Sequence, residues 1–322
     1  MSSISRNLSI AQRWLFNTLS CGAYCVSFEI THNCNAGCRH CHLGGSDPED
    51  RASAQEYGEI CRQLKPVVAQ ISGGEPLLRN DLEDVLEAVR RPKRAPFIVL
   101  TTNGALLKKE KYIRLREGGV NLFSISLDYP DERHDEFREI PGLFGRIQSL
   151  ITSLDSEKNK LINIACVIQK DNYRDIFRLV ELAKEWNVSI SFNAFTWLRT
   201  KSKDLMLSEQ DLEELKDIIR RIIAFKKKNN TVYSSEYYLN KVIEFFENGG
   251  IPNCRSGEKF LIVNPDGTLS PCGLIKKDYT TRRDIIENFS RHNTCGSCYT
   301  GIRGNTEKPI RHLIKDHISR FY

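Results

Sequence analysis

From residue 24 to residue 200 the chain runs in short apolar blocks alternating with longer stretches whose apolar residues recur every three to four positions. The first pattern predicts strands over 24–31, 67–72, 97–102, 122–127, 161–168 and 188–194. The second predicts helices over 52–64, 81–91, 108–118, 144–154 and 174–186. Strands that alternate with helices across short connections build a parallel sheet covered by helices, an α/β fold. Six strands are too few for a closed eightfold barrel.

Beyond residue 207 the rhythm changes. A long helical stretch over 208–228 opens at Ser208 and Asp211, a plausible capping pair, and a second over 235–247 runs into Asn248-Gly249-Gly250. The tail then carries Cys254, the apolar run Phe260-Leu261-Ile262-Val263, the turn Asn264-Pro265-Asp266-Gly267, a short strand to Ser270, and Cys272. Pro-Asp-Gly between two apolar runs predicts a hairpin. Cys295-Gly296-Ser297-Cys298 follows about one short helix later. The expected domains are an N-terminal segment (1–23), a core (24–200), a helical connector (201–250) and a small cysteine-rich α+β extension (251–322).

Composition narrows the function class. A chain of 322 residues, 40% hydrophobic and 27% charged, buries a sizeable core. Eleven cysteines are many, yet no signal-like apolar segment precedes them, so a reducing cytoplasm is expected rather than a secreted disulfide scaffold. The net charge of +6 comes from scattered basic residues with no aromatic-basic ladder, so no nucleic-acid partner is expected. Residues 14–19, apolar and aromatic beside Arg13, read as a helix packed across one end of the domain. Peripheral contact with a membrane surface is the alternative.

The chemistry concentrates in Cys34-Asn35-Ala36-Gly37-Cys38-Arg39-His40-Cys41, at the end of the first strand. Three thiolates at this spacing can hold three irons of a four-iron cubane and leave the fourth open. They can also form part of a zinc site completed by His32, His40 or His42, or pack as buried thiols. After the second strand comes Ser72-Gly73-Gly74-Glu75-Pro76, where glycines free the backbone for close approach and a carboxylate can receive a cationic amine. The third strand runs into Asn103-Gly104, and the fourth ends in Ser126-Leu127-Asp128. All these motifs stand at C-terminal ends of strands, where parallel α/β folds place ligands.

Taken together, the Cys-x3-Cys-x2-Cys run and the Gly-Gly-Glu-Pro stretch resemble the radical S-adenosylmethionine (SAM) superfamily. The resemblance implies an open, partial (β/α)6 TIM-like barrel. It also implies a 4Fe-4S cluster on Cys34, Cys38 and Cys41 whose open iron binds SAM. His40 is then expected by the adenine, Gly73, Gly74, Glu75 and Pro76 at the SAM amino group, and Asn103, Ser126 and Asp128 at the ribose and carboxylate. Asn163 to Ile168 departs from the Gly-x-Ile-x-Gly-x-x-Glu pattern that some members use for adenine.

Four tail cysteines, Cys254, Cys272, Cys295 and Cys298, can satisfy a complete cluster or one tetrahedral zinc. Their arrangement resembles the SPASM and twitch extensions of radical SAM enzymes, which implies one auxiliary 4Fe-4S cluster of the shorter, twitch kind. The expected activity is reductive cleavage of SAM by a flavodoxin or ferredoxin type reductant, followed by hydrogen abstraction from a small-molecule or lipid-linked substrate. A peptide-modifying maturase is the alternative, and a non-enzymatic iron-sulfur or zinc protein is the second. Cys166 reads as a buried filler, and no catalytic residue is assigned. Asn193, Trp197, Arg199 and Arg303 stand near the expected mouth of the barrel.

Overall fold

A computed structural model of the chain describes residues 3–90, 95–156 and 160–312. The last position of the helix expected over 81–91 lies outside them, as do the outermost residues of the first and last expected domains. The elements run α1 (Ser3–Leu19), β1 (Cys25–Glu29), α2 (Ala54–Leu64), β2 (Val68–Ser72), α3 (Leu82–Val89), β3 (Phe97–Thr102), α4 (Lys109–Glu117) and β4 (Leu122–Ser126). They continue through α5 (Arg133–Arg138), α6 (Leu143–Ser153), β5 (Ile162–Ile168), α7 (Ile176–Glu185), β6 (Ser189–Ala194), α8 (Leu212–Lys226) and α9 (Glu236–Asn248). The tail adds β7 (Phe260–Val263), β8 (Leu269–Ser270), α10 (Arg282–Asn288) and α11 (Gly301–Thr306).

The α/β fold class stands. Eight strands form one sheet in the order β6-β5-β4-β3-β2-β1-β7-β8. β1 pairs in parallel with β2, β2 with β3, and β5 with β6. The tail hairpin is part of that sheet: β7 pairs in parallel with β1, Val26 opposite Leu261, and β8 returns antiparallel to β7. All four residues of β7 are buried, as suits an apolar run covered on both faces. Its turn is closed by Asn264 N donating to Thr268 O (2.8 Å) and Gly267 N donating to Asn264 O (3.0 Å), with Gly267 at φ 86°.

Two compact units emerge from the packing. The first comprises residues 1–37, 43–124 and 255–293, and the second 38–42, 125–254 and 294–322. In the first, the fully buried Val26, Phe28, Ile71, Leu86 and Leu100 form the centre of the core, and the Tyr57 hydroxyl ties α2 to the hairpin through Pro265 O (2.6 Å). Helix α2 starts on a reciprocal capping box of Ser53 and Glu56. In the second, Ile164, Ile190, Phe192, Ile219 and Tyr238 are fully or almost fully buried. The capping pair Ser208 and Asp211 forms there, with Ser208 Oγ donating to Asp211 Oδ2 at 2.6 Å.

Helix α1 is anchored on the first unit by Asn17, which is 1% exposed and donates from Nδ2 to Ala23 O (2.6 Å) and Lys65 O (3.0 Å). Trp14 stacks on Tyr24. Leu8, Leu15, Phe16 and Leu19 are left exposed. Among the described residues no helix is long and apolar enough to cross a membrane.

Candidate active site

In the first unit, the residues after β1 and after β2 lie backbone to backbone. Gly74 N donates to Thr31 O (2.7 Å) and Glu75 N to Asn33 O (2.9 Å). A Cβ on Gly73, which sits at φ 136°, would overlap Thr31 O, and one on Gly74 would overlap Asn33 O. Both glycines are therefore required by the chain's own approach to the segment leading into Cys34.

Glu75 is fully buried. Its carboxylate accepts from Thr102 Oγ1 (2.8 Å), Asn103 N (2.7 Å) and Leu77 N (3.1 Å). Pro76 opens the single helical turn that Glu75 caps. Burial pushes the Glu75 carboxyl above its ordinary pKa, against the opposing pull of those donors. Asn103, 5% exposed, donates from Nδ2 to Asn35 Oδ1 (2.8 Å) and approaches Cys34 Sγ (3.9 Å). Glu75 thus fixes the end of β3, and Asn103 carries that order to Cys34. Arg79, unremarked in the sequence, is 5% exposed and clamps Ile30 O (2.8 Å) while paired with Asp81.

The second unit holds Cys38, His40 and Cys41. His40 is 8% exposed and stacks on Phe137, ring centroids 5.0 Å apart and planes within 9°. Its Nδ1 is buried and meets no hydrogen-bond partner among the described residues. Burial, reinforced by Arg138 and Arg199, pushes its pKa down to about 3, so the ring is neutral. Ser126 is half-buried at the end of β4. Asp128 is fully buried: Oδ2 accepts from Arg138 Nη2 (2.6 Å) and Nε (2.9 Å), and Oδ1 from Val167 N (2.9 Å). Burial, the largest single influence, raises the Asp128 carboxyl, but Arg138 and the other neighbouring groups together outweigh it and hold the pKa below the ordinary range.

Arg138 is the main residue beside the cysteine run that sequence reasoning missed. Beyond Asp128, it reaches Cys38 Sγ with Nη1 (3.7 Å). It sits on α5 with buried His134 and Phe137, a helix of six residues that is too short for periodicity to reveal. His134, fully buried, accepts from Asp128 N at Nδ1 (3.2 Å), and its Nε2 has no hydrogen-bond partner among the described residues. Arg199 Nη1 approaches Cys41 Sγ at 3.9 Å. Phe137 also packs with Tyr129, Phe195 and Leu205.

Three tail cysteines, Cys254, Cys295 and Cys298, belong to the second unit, and Cys272 to the first. Cys254 N donates to Cys295 O (3.4 Å). Arg303 is fully buried and braces these loops: Nη1 donates to Cys298 O (2.6 Å), Nη2 to Pro252 O (2.8 Å) and Nε to Glu307 Oε2 (2.9 Å). Asn193 Oδ1 accepts from Gly301 N (2.6 Å). Cys166 is buried, its thiol pushed well above the ordinary range by burial.

All eleven cysteines lie among the described residues, and none is disulfide-bonded. Also among the described residues, no three His, Cys, Asp or Glu side chains are grouped to hold a single metal ion. The donor chemistry fits a thiolate-bound cluster: each sulfur of the Cys34, Cys38 and Cys41 run has an N–H donor group beside it, two of them cationic.

Comparison with known proteins identifies the family. The model described as "Radical SAM superfamily" matches residues 28–196. The chain is 26% identical to an AdoMet-dependent heme synthase of Oleidesulfovibrio alaskensis, over 85% of this chain and 81% of that protein. It is 25% identical to the antilisterial bacteriocin subtilosin biosynthesis protein AlbA of Bacillus subtilis, over 79% of this chain and 56% of that protein. In fold it is similar to Streptococcus suis SuiB bound to precursor peptide SuiA, with a TM-score of 0.65 and 18% identity over 87% of this chain and 68% of that one. The protein belongs to the radical SAM superfamily, enzymes that bind a 4Fe-4S cluster and SAM and need a reductant and a substrate.

Proposed function

We propose that this radical SAM enzyme acts on a small-molecule substrate and carries a second 4Fe-4S cluster on Cys254, Cys272, Cys295 and Cys298. The observation that carries the substrate class is the extent of similarity to the heme synthase, which covers 85% of this chain, well past residues 28–196, and 81% of the relative. The peptide reading is favoured by the similarity to AlbA and the fold shared with SuiB, but the chain spans 56% of AlbA.

In this reading Cys34, Cys38 and Cys41 hold the SAM-binding cluster. When bound, that cluster supplies the electron that splits SAM to the 5'-deoxyadenosyl radical, which takes a hydrogen atom from the substrate. Around SAM, His40 offers a neutral ring, backed by Phe137, to the adenine. Residues Gly73, Gly74, Glu75 and Pro76 shape the backbone that meets the amino group. Glu75 acts through Thr102 and Asn103, and Asp128 through Arg138, because their carboxylates already have those partners. Asn103 and Ser126 present the remaining polar edge. Arg303 supports the tail cluster by holding the loops of Cys254 and Cys298. The reductant is a flavodoxin or ferredoxin type protein, and the setting is a reducing cytoplasm.

The test is anaerobic. Iron analysis and electron paramagnetic resonance (EPR) on wild type and a Cys34→Ala, Cys38→Ala, Cys41→Ala variant should give about eight irons falling to about four. Formation of 5'-deoxyadenosine should rise with a low-mass fraction of cell extract and survive protease treatment of that fraction. Stimulation abolished by protease would establish the peptide reading instead. Zinc in place of the second set of irons would remove the auxiliary cluster.

A further inference from the structure

The three thiols of the cysteine run do not meet the same charge. Cys34 Sγ has the neutral amide of Asn103 at 3.9 Å. Cys38 Sγ has Arg138 Nη1 at 3.7 Å, but that guanidinium is locked onto Asp128, so cation and anion arrive together and largely cancel. Cys41 Sγ has Arg199 Nη1 at 3.9 Å. Among the described residues no carboxylate pairs with Arg199. Of the three donors, Arg199 is the one that brings an unbalanced positive charge to a thiol sulfur. It is half-buried, where a charge is screened less than at the open surface.

Resting on the assignment of Cys34, Cys38 and Cys41 as cluster ligands, we propose that Arg199 is a positioning residue that sets the reduction potential of the SAM-binding cluster through Cys41. One-electron reduction adds a negative charge to the cluster and its thiolates. A guanidinium beside one of those thiolates stabilises the reduced form more than the oxidised form, and its N–H withdraws density from the sulfur in the same direction. Arg199 therefore makes it easier for an external reductant to deliver the electron that SAM cleavage requires. The Arg138 charge, which also acts on Cys38 and Cys41, is offset by its pairing with Asp128. Arg199 follows β6 on the turn where its N–H approaches Thr196 O (3.4 Å), and Thr196 is itself tied to Ser297 O (2.8 Å).

The experiment is an EPR-monitored redox titration without SAM, on wild type, Arg199→Gln and Arg199→Lys, following the signal that later responds to added SAM. Arg199→Gln should lower the reduced-to-oxidised ratio about tenfold at a fixed potential, about 59 mV for one electron. Arg199→Lys, which keeps the charge, should recover most of that shift. An unchanged potential in Arg199→Gln with full iron content would overturn the proposal. Loss of iron in both variants would also overturn it, assigning Arg199 to cluster retention. A wild-type protein lacking any SAM-responsive cluster would instead defeat the ligand assignment itself.

Discussion

Glu75, after β2, and Asp128, after β4, are both fully buried carboxylates at strand ends, yet their surroundings push them in opposite directions. Glu75 is met directly by neutral donors, the Thr102 hydroxyl and two backbone N–H groups, and burial wins, raising its pKa. Asp128 is met by the Arg138 guanidinium, and although burial is the largest single influence, the summed attraction of its neighbours lowers its pKa. Neutral dipoles can order a loop around a buried carboxylate. Only a full counter-charge keeps one firmly ionised.

The strongest way to break this contrast is to remove one half of the charged pair. Asp128→Asn leaves Arg138 buried and uncompensated, and should cost about 3–5 kcal/mol in urea denaturation of the apo protein. Adding Arg138→Met to that variant should restore much of the loss, because the orphaned cation goes with it. If the double variant is no more stable than Asp128→Asn, the pair is not the source of the effect.

Glu75→Gln should be milder, about 1–3 kcal/mol in the same measurement, since one amide oxygen can still accept while the amide nitrogen meets a donor. A loss equal to that of Asp128→Asn would erase the distinction between the two sites. Phe137→Leu, which keeps an apolar side chain but removes the ring under His40, should cost about 1 kcal/mol. Binding of SAM to the reconstituted protein, followed by its effect on the EPR signal, should weaken alongside.

The smallest effect is in pH, and its sign separates the two carboxylates. A raised folded pKa penalises the native state at high pH, so the stability of wild type relative to Glu75→Gln should improve as pH falls through that raised value toward the ordinary range near about 4.3. A lowered folded pKa does the reverse. The advantage of wild type over Asp128→Asn should be fully present above about 3.9 and shrink as pH falls below it. Denaturation midpoints between neutral pH and the onset of acid unfolding give both slopes, and slopes of the same sign would contradict the electrostatic assignment.

Much of the core was legible because it is local. Several strands carry their own periodicity, as in the alternating burial of Phe97–Thr102, and others a short apolar run, as in Phe260–Val263. Cys34 to Cys41 and Gly73 to Pro76 are contiguous runs whose spacing carries chemical meaning. Less legible was what Gly73 and Gly74 are for: the backbone they admit is that of Thr31 and Asn33. Arg138 and Arg303 were harder still. A lone arginine in a six-residue helix gives no pattern, and burial of a guanidinium depends on carbonyls and carboxylates that other segments bring to it.

The sequence by itself determined the α/β order of elements, the cysteine runs and the family to which they point, because spacing within one segment survives without knowledge of its neighbours. Tertiary structure decided which groups answer one another. It placed β7 beside β1 across more than two hundred residues of chain, and it paired Asp128 with Arg138 and brought the Arg138 guanidinium to Cys38. It also left Arg199 at Cys41 without a balancing carboxylate among the described residues. The physical reason is that burial and charge compensation are properties of what surrounds a side chain, and those surroundings are assembled from segments distant in the chain.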